Sequence, residues 1–107
     1  MSLINNYTIN FYGNEKKYIN ECINTKWIST NGKFVDKFSE KLKFYFKSKY
    51  VVPLNSGTAA LHLALKSLNV STNDEIIVPT ITFIASVNVI KNCNASPIFI
   101  DTDDDFI

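Results

Sequence analysis

Apolar side chains recur at helical spacing through the first half of the chain, in two amphipathic stretches. The first lies between Asn14 and Asn24, and its Glu15 stands near the start, where the helix dipole favours an acid. The second ends near Lys47, and its apolar stripe consists of Phe34, Val35, Phe38, Leu42, Tyr45 and Phe46. Turn-forming residues separate the two at 27–32. This pattern predicts a short helix, a loop and a longer helix.

After Tyr50 the pattern changes to short apolar runs that alternate with helical segments. The runs are residues 51–54, 76–78 and 98–100, and the helical segments are residues 59–68 and 83–90. Such runs indicate strands buried on both faces, and the hairpin turns that antiparallel neighbours need are missing. We predict an α/β fold in which amino-terminal helices, residues 1–49, precede a parallel β-α-β-α-β unit, residues 50–107. Pro53 weakens the first strand because it lacks a ladder N–H.

The composition is that of one ordinary globular unit, with 107 residues, 46% apolar, 20% charged and a net charge of +1. It excludes a disordered or low-complexity segment. All 11 basic residues are lysine. Without arginine the chain lacks the side chain best suited to phosphate and guanine contacts, so we expect no nucleic-acid binding. A stripe of Lys33, Lys37 and Lys41 could bind an anion, but a solvated helix face is the favoured interpretation.

Nothing in the residue pattern indicates a metal site or a membrane segment. Cys22 and Cys93 are 71 positions apart with no CxxC pair, which predicts two reduced, buried thiols. An exposed acidic segment without the features of a calcium loop is formed by Asp101, Asp103, Asp104 and Asp105. No signal-peptide pattern opens the chain and no apolar run reaches 18 residues. We expect a cytoplasmic protein without a membrane partner.

The strongest chemical signal is Gly57, which stands between Ser56 and Thr58 where the first strand turns into a helix. A glycine lets a ligand approach the backbone, and the free N–H groups of a helix start favour an anion such as phosphate. Alternatively, Ser56 or Thr58 is simply an N-cap, and on spacing alone the cap is favoured. The run is neither a Walker motif nor a dinucleotide fingerprint.

The second strand exit, residues 78–88, repeats the order of strand, turn and hydroxyl-rich helix start. In an open parallel sheet both exits lie at the edge where ligands bind. Phe83 could stack there on a flat ring, although a lone aromatic residue on an apolar helix is more often part of the core. His62, the single histidine, lies among leucine and alanine residues, and a structural role is favoured.

Several blocks together resemble the sugar-nucleotide aminotransferases of the DegT/StrS kind. They are residues 11–13, 27–33, 56–65, 74–86 and 99–101, in order and over nearly all 107 residues. The resemblance implies the type I fold of aminotransferases that use pyridoxal 5'-phosphate (PLP), with residues 50–107 as the start of the PLP-binding large domain. It also implies a homodimer that transfers an amino group, usually from glutamate, to a nucleotide-linked keto-sugar, in amino-sugar or surface polysaccharide biosynthesis.

The resemblance also assigns residues. Gly57, Thr58 and Ala59 would hold the cofactor phosphate, and Phe83 would stack on its pyridine ring. The residues that would lie toward the sugar substrate are Trp27, Ile28, Ser29, Thr30 and Ser56. In the family the Schiff-base lysine and the carboxylate that pairs with the pyridine nitrogen lie downstream of the matched region, so no catalytic residue is assigned.

The carboxyl end is unusual for a complete domain. Only seven residues follow the last apolar run, and they contain no helix or hairpin to cover it. We therefore expect a truncated chain that is inactive by itself. Lys66 and Lys91 match no family motif and are expected to be surface residues. The alternative is a non-catalytic α/β module that binds a phosphate-bearing ligand or a protein.

Overall fold

The structure is a computed structural model, and it describes residues 7–103. Its elements are α1 (Glu15–Asn24), α2 (Lys33–Phe46), α3 (Gly57–Ser67), β1 (Glu75–Pro79), α4 (Ile84–Asn92) and β2 (Ser96–Ile100). The chain divides into two compact units, Met1–Val51 and Val52–Ile107. The four predicted helical segments are confirmed, with bounds that shift by one to two residues. Within the described residues, no helix is long and apolar enough to cross a membrane.

In the first unit, aromatic and charged contacts join α1 to α2. The rings of Tyr18 and Phe34 lie 5.0 Å apart, and Lys37 lies 5.2 Å from the centre of the Tyr18 ring. Lys33 Nζ donates to the Glu21 carboxylate at 2.6 Å. Two lysines of the predicted stripe are therefore engaged with α1, and they do not form a row of free cations for an anion.

In the second unit, α3 and α4 end in the same way. Asn69 and Asn94 follow the two helices in the left-handed conformation, each with φ 60°. The next residue, Val70 or Ala95, donates its N–H to a carbonyl five residues back. Asparagine tolerates this conformation better than most residues, so the chain can turn sharply out of each helix. Both turns place a buried residue, Val70 or Ala95, in the core just ahead of a strand.

The sheet consists of β1 and β2, which pair in parallel with Val78 opposite Phe99. This confirms the α/β class and the parallel pairing. Helix α4 connects the strands and contacts both of them. The core of the unit lies between these elements and is formed by Val70, Val78, Ile90, Cys93 and Ala95, with Leu65, Ile76 and Val87 packed against it.

Three expectations about burial and pairing are wrong. Residues 51–54 form no strand, because a strand needs a ladder partner and none is present within residues 7–103. The sheet is not buried on both faces, since alternation along the strands turns Ile77 and Ile98 away from α4, and Ile77 is 68% exposed. Cys93 is buried as expected, but Cys22 is only half-buried, because it lines a pocket that opens to solvent.

Candidate functional site

The start of α3 is organised by Ser56. This residue has extended backbone angles, φ −157° and ψ 155°, and occupies the N-cap position. Its Oγ accepts a hydrogen bond from the Ala59 N–H at 3.2 Å, and its carbonyl accepts one from the Ala60 N–H at 3.1 Å. Of the two hydroxyl residues that could cap the helix, Ser56 is the one that does so.

The cap leaves two donors of the first turn unused. Among the described residues, neither the Gly57 N–H nor the Thr58 N–H has an acceptor. A Cβ built on Gly57 would meet nothing within 4 Å, so open space lies over this backbone. Free N–H groups at the positive end of a helix dipole, with room for a ligand, suit a phosphate group. The cap and the anion site are therefore compatible, because they use different N–H groups.

Phe83 lies at the start of α4, in the same unit. It occupies the N-cap position, where its carbonyl accepts from the Ser86 N–H at 3.0 Å. Its side chain is 78% exposed, so the interpretation of Phe83 as a core residue is wrong. Helix α4 follows β1 directly and contacts α3. The exposed ring is thus available to a ligand, and aromatic faces readily stack on flat rings.

The two lysines of the second unit both lie at the carboxyl ends of their helices. Lys66 and Lys91 are exposed and belong to the last turns of α3 and α4. At about 1.5 Å per residue, Lys66 is roughly 13 Å along the helix axis from Gly57. Cations in these positions complement the negative end of the helix dipole. The structure therefore gives both lysines a surface position.

His62 is half-buried on α3, and its Nε2 is enclosed without a hydrogen-bond partner among the described residues. The acidic segment has an exposed Asp101 and an exposed Asp103, whereas Asp104 and Asp105 lie outside the described residues. Within residues 7–103, no three His, Cys, Asp or Glu side chains come together as metal ligands.

The loop between α1 and α2 borders a pocket of about 550 Å³ in the first unit. Its lining includes Trp27, Ile28 and Ser29, whereas Thr30 is exposed outside it. The structure thus brings three of the four loop residues together at one pocket. Ser56, the fifth residue expected near substrate, belongs to the other unit.

An ion pair lies at the same pocket. The hydrogen bond from Lys33 lowers the pKa of the Glu21 carboxyl below its usual range, and Glu21 in turn raises the pKa of Lys33. Both groups face solvent, so water and salt weaken their attraction. The pair supplies the pocket with matched charges and leaves no net charge there.

Gly32 is the residue that sequence reasoning missed. It is the N-cap of α2 with φ 144°, a conformation that favours glycine. A Cβ there would lie 2.6 Å from Cδ1 of Trp27, and nearer still to Nε1. The available signal was a glycine at a helix start, five residues after the single tryptophan.

The chain belongs to the DegT/DnrJ/EryC1/StrS aminotransferase family, whose model matches residues 11–107. Members of this family are PLP-dependent aminotransferases, and solved relatives in PLP and pyridoxamine-phosphate forms identify the cofactor.

The similarity extends along most of the chain. GDP-perosamine synthase of Escherichia coli O157:H7 is 46% identical over 105 residues, which are 98% of this chain and 29% of that protein. The PLP form of Spr1654 from Streptococcus pneumoniae is 35% identical, with a TM-score of 0.75 over 92% of this chain and 26% of that one. An aminotransferase from Psychrobacter cryohalolentis is 30% identical, with a TM-score of 0.79 over 88% of this chain and 24% of that one. The chain thus spans about a quarter of these proteins.

Proposed function

We propose that this chain is part of a PLP-dependent aminotransferase that transfers an amino group from glutamate to a nucleotide-linked keto-sugar. The observation that carries the proposal is the start of α3, where the Gly57 and Thr58 N–H groups have no acceptor within residues 7–103 and open space lies over Gly57. The chain's family membership makes the cofactor phosphate the first candidate for that space. Amino-sugar or surface polysaccharide biosynthesis is the expected setting, in the cytoplasm.

The first turn of α3 would hold the phosphate. Gly57 would donate its N–H and allow close approach, and Thr58 would add a second N–H and its exposed hydroxyl. Ala59 belongs to the same turn and would border the phosphate. Its N–H is not available to the phosphate, because it already donates to Ser56. Hydrogen bonds to a charged acceptor are worth about 1.5–3 kcal/mol each, enough to anchor a cofactor by its phosphate.

Phe83 would lie against the face of the cofactor ring. Its 78% exposure and its place at a helix start that contacts α3 support this role. When bound, PLP supplies an electron sink for carbanion chemistry, and the protein's part is to bind and orient it. Phe83 would hold the ring in position and shield one face from water. No residue of this chain is assigned a proton-transfer role.

The substrate would be met by Ser56 and by the loop residues Trp27, Ile28, Ser29 and Thr30. The loop lines a pocket with both apolar and polar groups, which suits a sugar ring and its hydroxyls. Three relatives that are 43–46% identical carry the name GDP-perosamine synthase, so a GDP-linked keto-sugar is the first substrate to test. A homodimer is the expected assembly.

The experiment uses the protein encoded by the whole reading frame, purified and loaded with PLP. With glutamate and a GDP-linked keto-sugar, we expect a GDP-linked amino sugar by mass spectrometry and matched formation of 2-oxoglutarate. A nucleotide-sugar panel that gives no amino transfer, together with no cofactor absorbance, would contradict the proposal. Phosphate-ligand binding without any turnover would favour the non-catalytic module instead.

The 107 residues alone should give no turnover. Lys66 and Lys91 are exposed residues in the last turns of α3 and α4, and we propose that neither bonds to the cofactor. The same assay run on this chain checks the expectation, and measurable amino transfer would contradict it.

A further inference from the structure

Trp27 is fixed to α1 through its backbone. After the helix, Lys26 takes the left-handed conformation with φ 56° and donates its N–H to the Ile23 carbonyl at 3.0 Å. The Trp27 N–H donates to the Cys22 carbonyl, also at 3.0 Å. These two bonds form a Schellman motif, which fixes the direction in which the chain leaves the helix.

The side chain of Trp27 reaches forward to the start of α2. Its Nε1–H donates to the Asn31 carbonyl. Its ring lies over the Gly32 backbone, where the space of a Cβ is taken by the indole. Gly32 is the N-cap of α2, and its carbonyl accepts from the Val35 and Asp36 N–H groups at 2.9 and 3.1 Å. The ring therefore rests on the residue that begins the second helix.

One residue thus joins both ends of the loop, by its backbone to α1 and by its indole to the two residues just before α2. Residues 28–30 lie between these two attachments. Ile28 and Ser29 line the pocket of about 550 Å³. Fixing both ends of so short a segment removes most of its conformational freedom, which otherwise would be lost on ligand binding.

We infer that Trp27 is a positioning residue, whose contact with Asn31 and Gly32 holds the loop in the conformation that presents Ile28 and Ser29 to the pocket. The inference rests on the proposed function, in which the loop faces the sugar substrate. It deepens that function, because Trp27, besides lining the pocket itself, acts on the substrate through the loop conformation.

The contact can be measured without any substrate. Trp27 is the single tryptophan of the 107-residue chain, so the indole gives one N–H resonance. In Gly32→Ala we expect this resonance to shift and its hydrogen exchange to accelerate about fivefold, the equivalent of one hydrogen bond of about 1 kcal/mol. Gly13→Ala is the matched control, since the three atoms nearest to a Cβ there belong to the flexible carboxylate end of Glu15, the first at 3.2 Å. An unchanged resonance and exchange rate in Gly32→Ala would overturn the inference.

The effect on substrate is tested in the protein from the whole reading frame. Trp27→Phe keeps a ring but removes the donor to Asn31. We expect it to raise KM for the keto-sugar about fivefold while kcat and PLP affinity stay unchanged, because the loop is loosened and the chemistry is not. An unchanged KM, or a loss confined to kcat, would overturn the inference.

A double-mutant cycle tests whether Trp27 and Gly32 affect KM through one shared contact. If Trp27 acts through Gly32, Gly32→Ala raises KM much less in a Trp27→Ala background than in the wild type. Additive effects of the two substitutions would overturn the inference. Failure of the proposed function can be told apart from failure of this inference. Absence of amino transfer contradicts the proposed function, whereas an unperturbed indole resonance contradicts only the role of Trp27.

Discussion

Two glycines begin helices in this chain, and they are there for opposite reasons. Gly32 at α2 has φ 144°, and the Trp27 ring occupies the space where a side chain would lie. At Gly57 of α3, a Cβ would meet nothing within 4 Å beyond its chain neighbours and the backbone of its own helix. The protein itself fills the space at the first, so that glycine serves the fold. The space at the second is open beside two free N–H groups, so that glycine suits a ligand.

The comparison predicts that Gly32→Ala has the largest effect on stability. A side chain in that backbone conformation costs about 1–3 kcal/mol, and displacement of the Trp27 ring adds to it. We expect a fall of about 3 kcal/mol in the free energy of unfolding, measured by urea denaturation. Gly13→Ala serves as the control. A change below about 0.5 kcal/mol in Gly32→Ala would show that the conformation of Gly32 is not required.

Gly57→Ala should give the reverse result. At a helix start with open space around it, alanine leaves the free energy of unfolding unchanged or raises it by up to about 1 kcal/mol. The added methyl group intrudes on the space proposed for phosphate, and we expect PLP affinity in the protein from the whole reading frame to fall about 10–100-fold. Spectrophotometric titration gives the affinity. If Gly57→Ala lost stability and kept its affinity for PLP, the roles assigned to the two glycines would be contradicted.

Ser56→Ala tests which of the two hydroxyl residues caps α3. Ser56→Ala removes the acceptor for the Ala59 N–H and should lower the free energy of unfolding by about 1 kcal/mol. Thr58→Ala is the matched control, because Ser56 and not Thr58 caps the helix. We expect denaturation of Thr58→Ala to match the wild type. If Thr58→Ala lost more free energy of unfolding than Ser56→Ala, the assignment of Ser56 as the cap would be wrong.

The smallest effect belongs to Glu21 and Lys33. Glu21 has a lowered pKa, so its contribution to stability is present above the usual range of a carboxyl and is lost as pH falls through its own pKa. Lys33 has a raised pKa, and its contribution is lost as pH rises past the usual range of an ammonium group. In Glu21→Gln the free energy of unfolding should therefore fall slightly less than in the wild type as the pH is lowered. Because the pair is exposed, 1 M salt should remove the difference between wild type and variant, and a salt-independent difference would contradict the assignment.

Local chemistry explains which parts of the fold were predictable. Helical spacing identified all four helices, and the glycine between two hydroxyl residues identified the start of α3. Which hydroxyl caps the helix was not predictable, because both stand at the right place and only the backbone angles at Ser56 decide it. The site at α3 could therefore be located from the sequence, but its division into cap and free donors could not.

Contacts between distant or irregular positions were not predictable. An apolar run such as residues 51–54 becomes a strand only with a ladder partner, which the run itself does not specify. The contact between the Trp27 ring and Gly32 depends on the left-handed backbone conformation of Lys26. Lysine rarely takes this conformation, and no periodicity in the sequence reveals it. The exposure of Phe83 likewise goes with its N-cap position, ahead of the first residue of α4.

The phosphate site at α3 is tested most directly by comparing PLP with pyridoxal, which lacks the phosphate. Affinities of both for the wild type and for Gly57→Ala, in the protein from the whole reading frame, form a closed cycle. The start of α3 should bind the phosphate alone, so Gly57→Ala should lower PLP affinity at least about tenfold and leave pyridoxal affinity unchanged. An equal change for both ligands, or no change for either, would contradict a phosphate site at Gly57 and Thr58.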